Sequence, residues 1–199
     1  MWSNCRMWPG LCVRLEGRIV VLEPLRPEHE DGLRAAADDE RIWRFMVTTD
    51  PDEWLRATFA EAEAGVRAPF TALVDGRPAG STSYMSLAPE HLRLEIGATW
   101  MNPSTWGTGA NVEAKYLLLR HAFETLGCRR VEFKTDARNE RARGALAALP
   151  ARFEGIHRKH MLVRGGERRD SAWYAVVDDE WPEVKAALEA RLARAPSGR

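Results

Sequence analysis

The chain has 199 residues, and its 29 Lys+Arg balance its 29 Asp+Glu, for a formal net charge of +0 at pH 7. That balance argues against a protein that coats nucleic acid and against an acidic disordered tail. A hydrophobic share of 45% supports a single domain with a sizeable core. Lysine occurs only at Lys115, Lys134, Lys159 and Lys185; every other basic residue is Arg, a bias that genome composition accounts for. Cys5, Cys12 and Cys128 are an odd set without metal-type spacing, which fits neither a disulfide framework nor a zinc site. The five histidines form no ligand cluster, so no metal is expected. A reduced, cytoplasmic setting is the natural one. No apolar run approaches the roughly 20 residues of a membrane span. Residues 1–14 read as an N-terminal extension, too interrupted by Asn4, Arg6, Pro9 and Gly10 for a signal sequence. It packs on the body or frays, with a partner-binding arm as the second reading.

The domain itself spans 15–199. Leu15 to Leu22 reads as a first strand, broken off by Pro24 and Pro27. A helix is expected over Glu28–Ala37, a second over Asp39–Phe45, and a third from Glu53 to Ala64 with Trp54, Leu55, Thr58 and Phe59 at helical spacing. Phe70–Val74 and Ala79–Tyr84 form a hairpin around Asp75-Gly76-Arg77-Pro78. Leu92 to Trp100 alternates as a strand, with Leu92, Leu94, Ile96 and Ala98 on one face and Arg93, Glu95 and Thr99 on the other. A turn-rich loop, Asn102 to Asn111, leads into a strong helix, Val112–Leu126, closed by Gly127. A strand over Arg130–Asp136, a helix capped by Asn139, a strand pair flanking Arg164-Gly165-Gly166-Glu167 and a last helix from Trp181 complete the chain. The order describes one α/β (α+β) domain with the sheet in the middle.

The informative stretch is Asn102-Pro103-Ser104-Thr105-Trp106-Gly107-Thr108-Gly109-Ala110-Asn111, set between a strand and a helix. Glycines let backbone N–H groups approach a ligand, and a helix N-terminus adds partial positive charge. A P-loop would need Lys-Ser/Thr after Gly109, where Ala110 and Asn111 stand. A dinucleotide fingerprint would need Gly at Val112. Taken alone, the spacing fits an anion-binding turn and a plain connection equally.

The rest of the chain adds Leu94-Glu95-Ile96-Gly97, Glu113-Ala114, Leu126-Gly127-Cys128-Arg129-Arg130-Val131, Asp136-Ala137-Arg138-Asn139-Glu140-Arg141, Glu154-Gly155 and Arg169-Asp170. Together with the loop, these segments resemble the GNAT superfamily of acyl-CoA-dependent N-acyltransferases, in its RimJ/RimL-like branch, from about Leu15 to Leu192. The resemblance implies a mixed, mostly antiparallel sheet flanked by helices. Its two central strands, Leu92–Trp100 and Arg130–Asp136, splay apart around pantetheine. It implies acetyl-CoA as cosubstrate, with the pyrophosphate on the amides of Trp106, Gly107, Thr108, Gly109 and Ala110 beside Asn111. Asn139 would meet the pantetheine arm, and Arg141 and Arg143 either the 3′-phosphate or solvent. A backbone N–H near Met101 would stabilise the oxyanion. The acceptor would be a primary amine, a protein N-terminus or a small molecule, with no nucleic acid or membrane partner. Dimers are common in the family, and the N-terminal arm and the Trp181 helix are candidate contact surfaces for a homodimer.

Three positions depart from the family pattern: Ser104 where Gln or Arg is usual, Ala142 where a Ser can protonate the leaving thiolate, and Leu149-Pro150-Ala151 in place of Leu-Gly-Phe. Glu95 is the candidate base, or else simply the ion-pair partner of Arg93 or Arg130. Tyr174 and His160 are the candidate acids, or else sheet-packing residues. Trp43, Phe45 and Trp54 line the acceptor groove or belong to the core. Two other readings stand beside acetyl transfer: a non-catalytic acyl-CoA-binding module, and a transferase using another acyl-CoA such as succinyl-CoA.

Overall fold

A computed structural model describes residues 8–194. The expected first strand is two short ones: β1 (Leu15–Glu16) pairs antiparallel with β2 (Val21–Pro24), Leu15 opposite Leu22. The Gly17 N–H bonds the Val20 carbonyl at 3.0 Å, so the β-branched Ile19 and Val20 belong to a turn. Three helices follow: α1 (Glu30–Ala36), α2 (Glu40–Trp43) and α3 (Pro51–Glu63). Asp50 caps α3, its carboxylate accepting from the Asp52 and Glu53 N–H groups at 2.8 and 3.3 Å. β3 (Ala68–Val74) and β4 (Arg77–Ala88) form the expected hairpin. Asp75 and Gly76 take φ of 50° and 74°, the left-handed pair that a two-residue turn requires.

The remaining elements are β5 (Arg93–Met101), α4 (Ala110–Arg120), β6 (Arg130–Asp136), α5 (Glu140–Ala147), β7 (Arg152–Val163), β8 (Glu167–Val177) and α6 (Trp181–Ala193). After Arg120, α4 widens into a π turn over His121–Thr125 and ends at Gly127, with φ 68°. The eight strands lie in the order β1-β2-β3-β4-β5-β6-β8-β7. Every neighbouring pair is antiparallel except β5–β6. That parallel contact covers only Arg93–Arg130, Leu94–Val131 and Glu95–Glu132, after which the strands part. The expected splay is therefore present.

The helices α4 and α6 cover one face, over a core that includes Leu94, Ile96, Leu117, Leu118, Val131, Phe133, Val176 and Leu188. On the other face α1–α3 bury Leu33, Trp43, Trp54 and Leu55 with Trp100. Trp8 and Leu11 of the N-terminal extension are buried in the first core; residues 1–7, with Trp2 and Cys5, lie outside the described part. Within α6, Trp181 itself is buried, stacked on Phe123 with ring centroids 5.3 Å apart, and donates its indole N–H to Glu124. Cys12 is disulfide-bonded, which corrects the expectation of unpaired cysteines, while Cys128 is free and buried. Burial pushes the Cys128 thiol up to about 12, as befits a packing residue. No helix among the described residues is long and apolar enough to cross a membrane.

Candidate active site

The splay opens into a cleft of about 1490 Å³. At one end stand the 102–109 loop and the N-termini of α4 and α5. Asn102 organises that loop. Its Oδ1 accepts from the Ser104 N–H at 2.9 Å and Oγ at 2.6 Å, and its Nδ2 donates to the Ala36 carbonyl at 2.8 Å. Gly107 and Gly109 take φ of 80° and 94°, which side-chain-bearing residues rarely adopt. Two of the loop amides are already engaged: Trp106 N–H with the Pro103 carbonyl and Thr108 N–H with the Thr105 carbonyl. Ala110 N–H faces Thr108 Oγ1 at 3.3 Å. The amides of Gly107, Gly109 and Asn111 carry no such bond, and no side chain caps α4. They form an electropositive rim open to an anion.

Trp106 lies at this rim with two guanidinium groups over its ring, Arg141 at 3.7 Å and Arg41 at 5.4 Å from the centroid. Burial, and then the Arg41 charge, push the Arg141 pKa down, so an anion between them is favoured. Arg41 carries no sequence signal, being far upstream of the loop. Arg143 is turned away, donating to Tyr174 Oη and to the Ala137 carbonyl, each at 3.2 Å. Asn139 caps α5: its Oδ1 accepts from the Ala142 N–H at 3.0 Å, so what it can offer the cleft is its amide N–H. Ala142 lines the cleft with a methyl group alone.

Along β5 the pairing with β4 slips. Ser83 faces Gly97 and Ser81 faces Trp100, so Ala98 and Thr99 share one partner position, Thr82. Ala98 takes φ 47° in this bulge, a feature absent from the clean alternation of the sequence. Beyond it, Asn102 N–H reaches the Ala79 carbonyl at 2.7 Å. Met101 therefore forms a non-hydrogen-bonded pair with Gly80, and its N–H points away from β4 toward the splay. The Met101 carbonyl is taken by the Trp106 indole N–H at 2.9 Å.

Glu95 sits at the apex of the splay, in the last β5–β6 pair, and is 2% exposed. Arg93 and Arg130 both turn to Glu132 instead. Glu95 Oε2 meets Lys134 Nζ at 2.9 Å and accepts from Ser86 Oγ at 2.9 Å. His160 lies on the same face of the sheet, exposed, its Nδ1 3.1 Å from Ser171 Oγ, and burial and Lys134 lower its pKa. Tyr174 is on the opposite face, in the main core, with its ring against Phe153. Glu95 shares the cleft with the loop, Asn139 and Arg141; Tyr174 and His160 do not line it. Asp170 is occupied with the Lys159 N–H of β7. Trp43 and Trp54 pack against Trp100 in the second core, and Trp54 and Phe45 also reach the cleft wall.

A family model described as the acetyltransferase (GNAT) domain matches residues 20–151, well over half of the chain. The chain belongs to the GNAT acetyltransferases. Within them it falls in the RimJ/RimL type. Among solved structures, the GCN5-related N-acetyltransferase from Brucella melitensis is 33% identical, with TM-score 0.85, covering 92% of this chain and 86% of that one. A presumed acetyltransferase from T. thermophilus is 43% identical, with TM-score 0.81, covering 90% of this chain and 96% of that one. Mycobacterium smegmatis RimJ, solved with CoA-disulfide, shares the fold at 24% identity, with TM-score 0.72, over 96% of this chain and 98% of that one. A search of curated proteins finds no match.

The GNAT cleft holds one more charged group that sequence reasoning passed over. Lys115, on α4, donates to Thr99 Oγ1 at 2.8 Å and lies 5.5 Å over the Phe133 ring, so it spans the two splayed strands. Burial pushes its amine down to about 7, against a smaller opposing pull from Glu95. Between pH 7 and the ordinary value of 10.5, the unfolded chain binds a proton that the folded one does not. Stability from this group therefore rises with pH through that window and is lowest below it. Lys115→Met should stabilise the protein more at pH 6 than at pH 9, by roughly 1–3 kcal/mol after allowing for solvent screening. Urea melts at the two pH values measure this. An equal effect at both would show that Lys115 titrates like an exposed lysine.

Proposed function

We propose that this GNAT acetyltransferase moves an acetyl group from acetyl-CoA to a primary amine by direct attack within a ternary complex. One observation carries the reading: a single cleft joins the open amides at the α4 N-terminus to the buried carboxylate of Glu95. The amides of Gly107, Gly109 and Asn111 would receive the pyrophosphate, and Arg41 and Arg141 would add charge beside it. The Asn139 amide N–H would donate to a pantetheine carbonyl. Glu95, directly or through a water, accepts the proton as the amine attacks the thioester carbon. The C–N bond forms, the carbonyl oxygen gains charge near the Met101 N–H, and the C–S bond breaks. The departing thiolate needs a proton that Ala142 has no hydroxyl to give. Lys115, an amine near neutral pKa in the same cleft, is the group this reading assigns to it. An α-amino acceptor, with an unperturbed pKa near roughly 8, asks less of the base than a lysine side chain.

The test is thiol release from acetyl-CoA over a panel of amines and N-terminal peptides, with CoA binding followed by calorimetry. Turnover with at least one amine is expected. No turnover combined with no CoA binding would overturn the reading. Tight CoA binding without turnover would favour the acyl-CoA-binding module, which the methyl group of Ala142 motivates. Arg141→Ala is expected to weaken CoA binding by about tenfold, the worth of one charge-assisted contact. An unchanged dissociation constant would remove Arg141 from the site.

A further inference from the structure

We infer that the acceptor carries a carboxylate as well as its amine, and that Arg169 of β8 receives that carboxylate in the same cleft. This rests on the acetyl-transfer reading of the same cleft. Arg169 is 6% exposed and lines the cleft together with Glu95, Lys134, Met161 and Arg67. Its Nε has no hydrogen-bond partner, and among the described residues no carboxylate comes within ion-pair distance of its guanidinium.

Three cations nearby on this side of the sheet have carboxylate partners. Arg67 meets Glu61 at 3.0 Å and Ser83 at 2.8 Å. Lys134 meets Glu95 at 2.9 Å. Arg164 meets Glu167 at 2.9 Å and Asp136 at 3.4 Å. The charges that Arg169 feels are those of Asp136, Glu95 and Arg164, but both acids are committed elsewhere: Asp136 to Arg138 and Arg164, Glu95 to Lys134. Burial lowers the Arg169 pKa, as an uncompensated cation requires, although a guanidinium stays charged at neutral pH.

A buried cation left over after every nearby carboxylate is used is costly unless a ligand completes it. The planar fork of Arg is suited to a carboxylate, which it can hold by two parallel bonds. Strand geometry puts this fork on the Glu95 side of the sheet. β8 pairs Trp173 with Lys134 and Ser171 with Asp136, so Arg169, two residues further on, shares the face of Lys134. Ala172, Tyr174 and Val176 point the other way, into the main core. An acceptor whose amine meets Glu95 can therefore lay an acidic group on Arg169, on the same face of the sheet.

Matched acceptor pairs test this with acetyl-CoA: free amino acids against their primary amides, and N-terminal peptides with Asp or Glu near the amine against the Asn or Gln forms. The two pairs separate a small-molecule source of the carboxylate from a peptide one. Wild type should favour the acidic member of at least one pair by tenfold or more in kcat/KM. Arg169→Met should abolish that preference through KM, while its turnover of the amides stays within about threefold and its CoA dissociation constant is unchanged. Arg169→Lys should restore part of it. Binding is read apart from turnover by melting the CoA-loaded protein with glutarate, a dicarboxylate without an amine. Glutarate should raise Tm in wild type and not in Arg169→Met. Equal turnover of acid and amide, a preference that survives Arg169→Met, or an absent glutarate shift would each overturn the inference. An Arg169-dependent preference for succinyl-CoA over acetyl-CoA would also overturn it, by giving Arg169 to the acyl chain. If no amine is acetylated but the glutarate shift depends on Arg169, the acetyl-transfer reading fails and the carboxylate site stands.

Discussion

Glu95→Gln is expected to lower kcat for amine acetylation by about 10²–10³-fold, within the range for loss of a general base, and to leave acetyl-CoA affinity within about twofold. The substitution keeps the size of the side chain and removes its proton-accepting charge. It also strips Lys134 of its carboxylate partner, so a structural effect has to be separated from a chemical one. Lys134 lies under the Trp173 ring, 5.3 Å from the centroid, and is one-fifth exposed, which lets it turn to water. Lys134→Met breaks the same ion pair from the other side. If the pair is all that matters, both variants lose activity alike and melt alike. If Glu95 accepts the proton, Glu95→Gln is the slower by at least tenfold, and raising the pH partly rescues it with acceptors that deprotonate on their own. Steady-state rates from pH 6 to 9, read beside the melting temperatures, decide. A Glu95→Gln enzyme within threefold of wild type would move the base to a water or another group. Gly97 belongs to the same arrangement: a Cβ there would come within 2.7 Å of Glu95 Oε1, so glycine leaves this carboxylate its place.

Local chemistry made most of the elements legible in the chain. Asp75-Gly76 can only be a tight turn, Asp50-Pro51-Asp52 starts a helix, and Gly127 ends one. The alternation of Leu94 and Ile96 with Glu95 places a carboxylate on the face opposite the core. What escaped depends on partners far away in sequence. Glu95 pairs with Lys134 because β5 and β6 run parallel for just three residue pairs, a register that no local pattern shows. The bulge at Ala98 arises from how β4 meets β5, not from an unusual residue. Arg41 and Arg141 share one Trp106 ring although a hundred positions separate them. Lys115 looks like an ordinary surface residue in the sequence, and Arg169 enters only as part of a matching segment; the fold alone brings both to the splay. Tyr174 illustrates the converse: its strand was expected, but the face it occupies follows from the pairing of Phe133 with Tyr174, which turns it into the core.

The largest stability effect is expected at Glu113, whose removal should cost roughly 3–5 kcal/mol. Its carboxylate is buried in the first turn of α4 and accepts from three successive backbone N–H groups: Arg18 at 3.0 Å, Ile19 at 2.6 Å and Val20 at 2.8 Å. These are the amides of the β1–β2 turn, whose β-branched residues would otherwise favour a continuous strand. A hydrogen bond to a charged acceptor is worth about 1.5–3 kcal/mol, and Glu113→Ala leaves three donors without one. Water can reach the outer part of the turn, which keeps the loss below the simple total. Gly17 is required for the same reason, because a Cβ there would collide with the Glu113 carboxylate. The expected consequence is a fall in Tm of roughly 8–15 °C for a domain of this size. Glu113→Gln should lose about half as much, since its single oxygen can still serve Ile19 and Val20. Thermal melts followed by circular dichroism measure both. A Glu113→Ala protein melting within 2 °C of wild type would mean that the turn holds without its latch. The latch also bears on the ligand. An acid in the first turn of a helix normally competes for the exposed amides at its N-terminus. Here those three distant N–H groups absorb the Glu113 charge, which leaves the α4 amides facing the cleft free for the phosphates of coenzyme A.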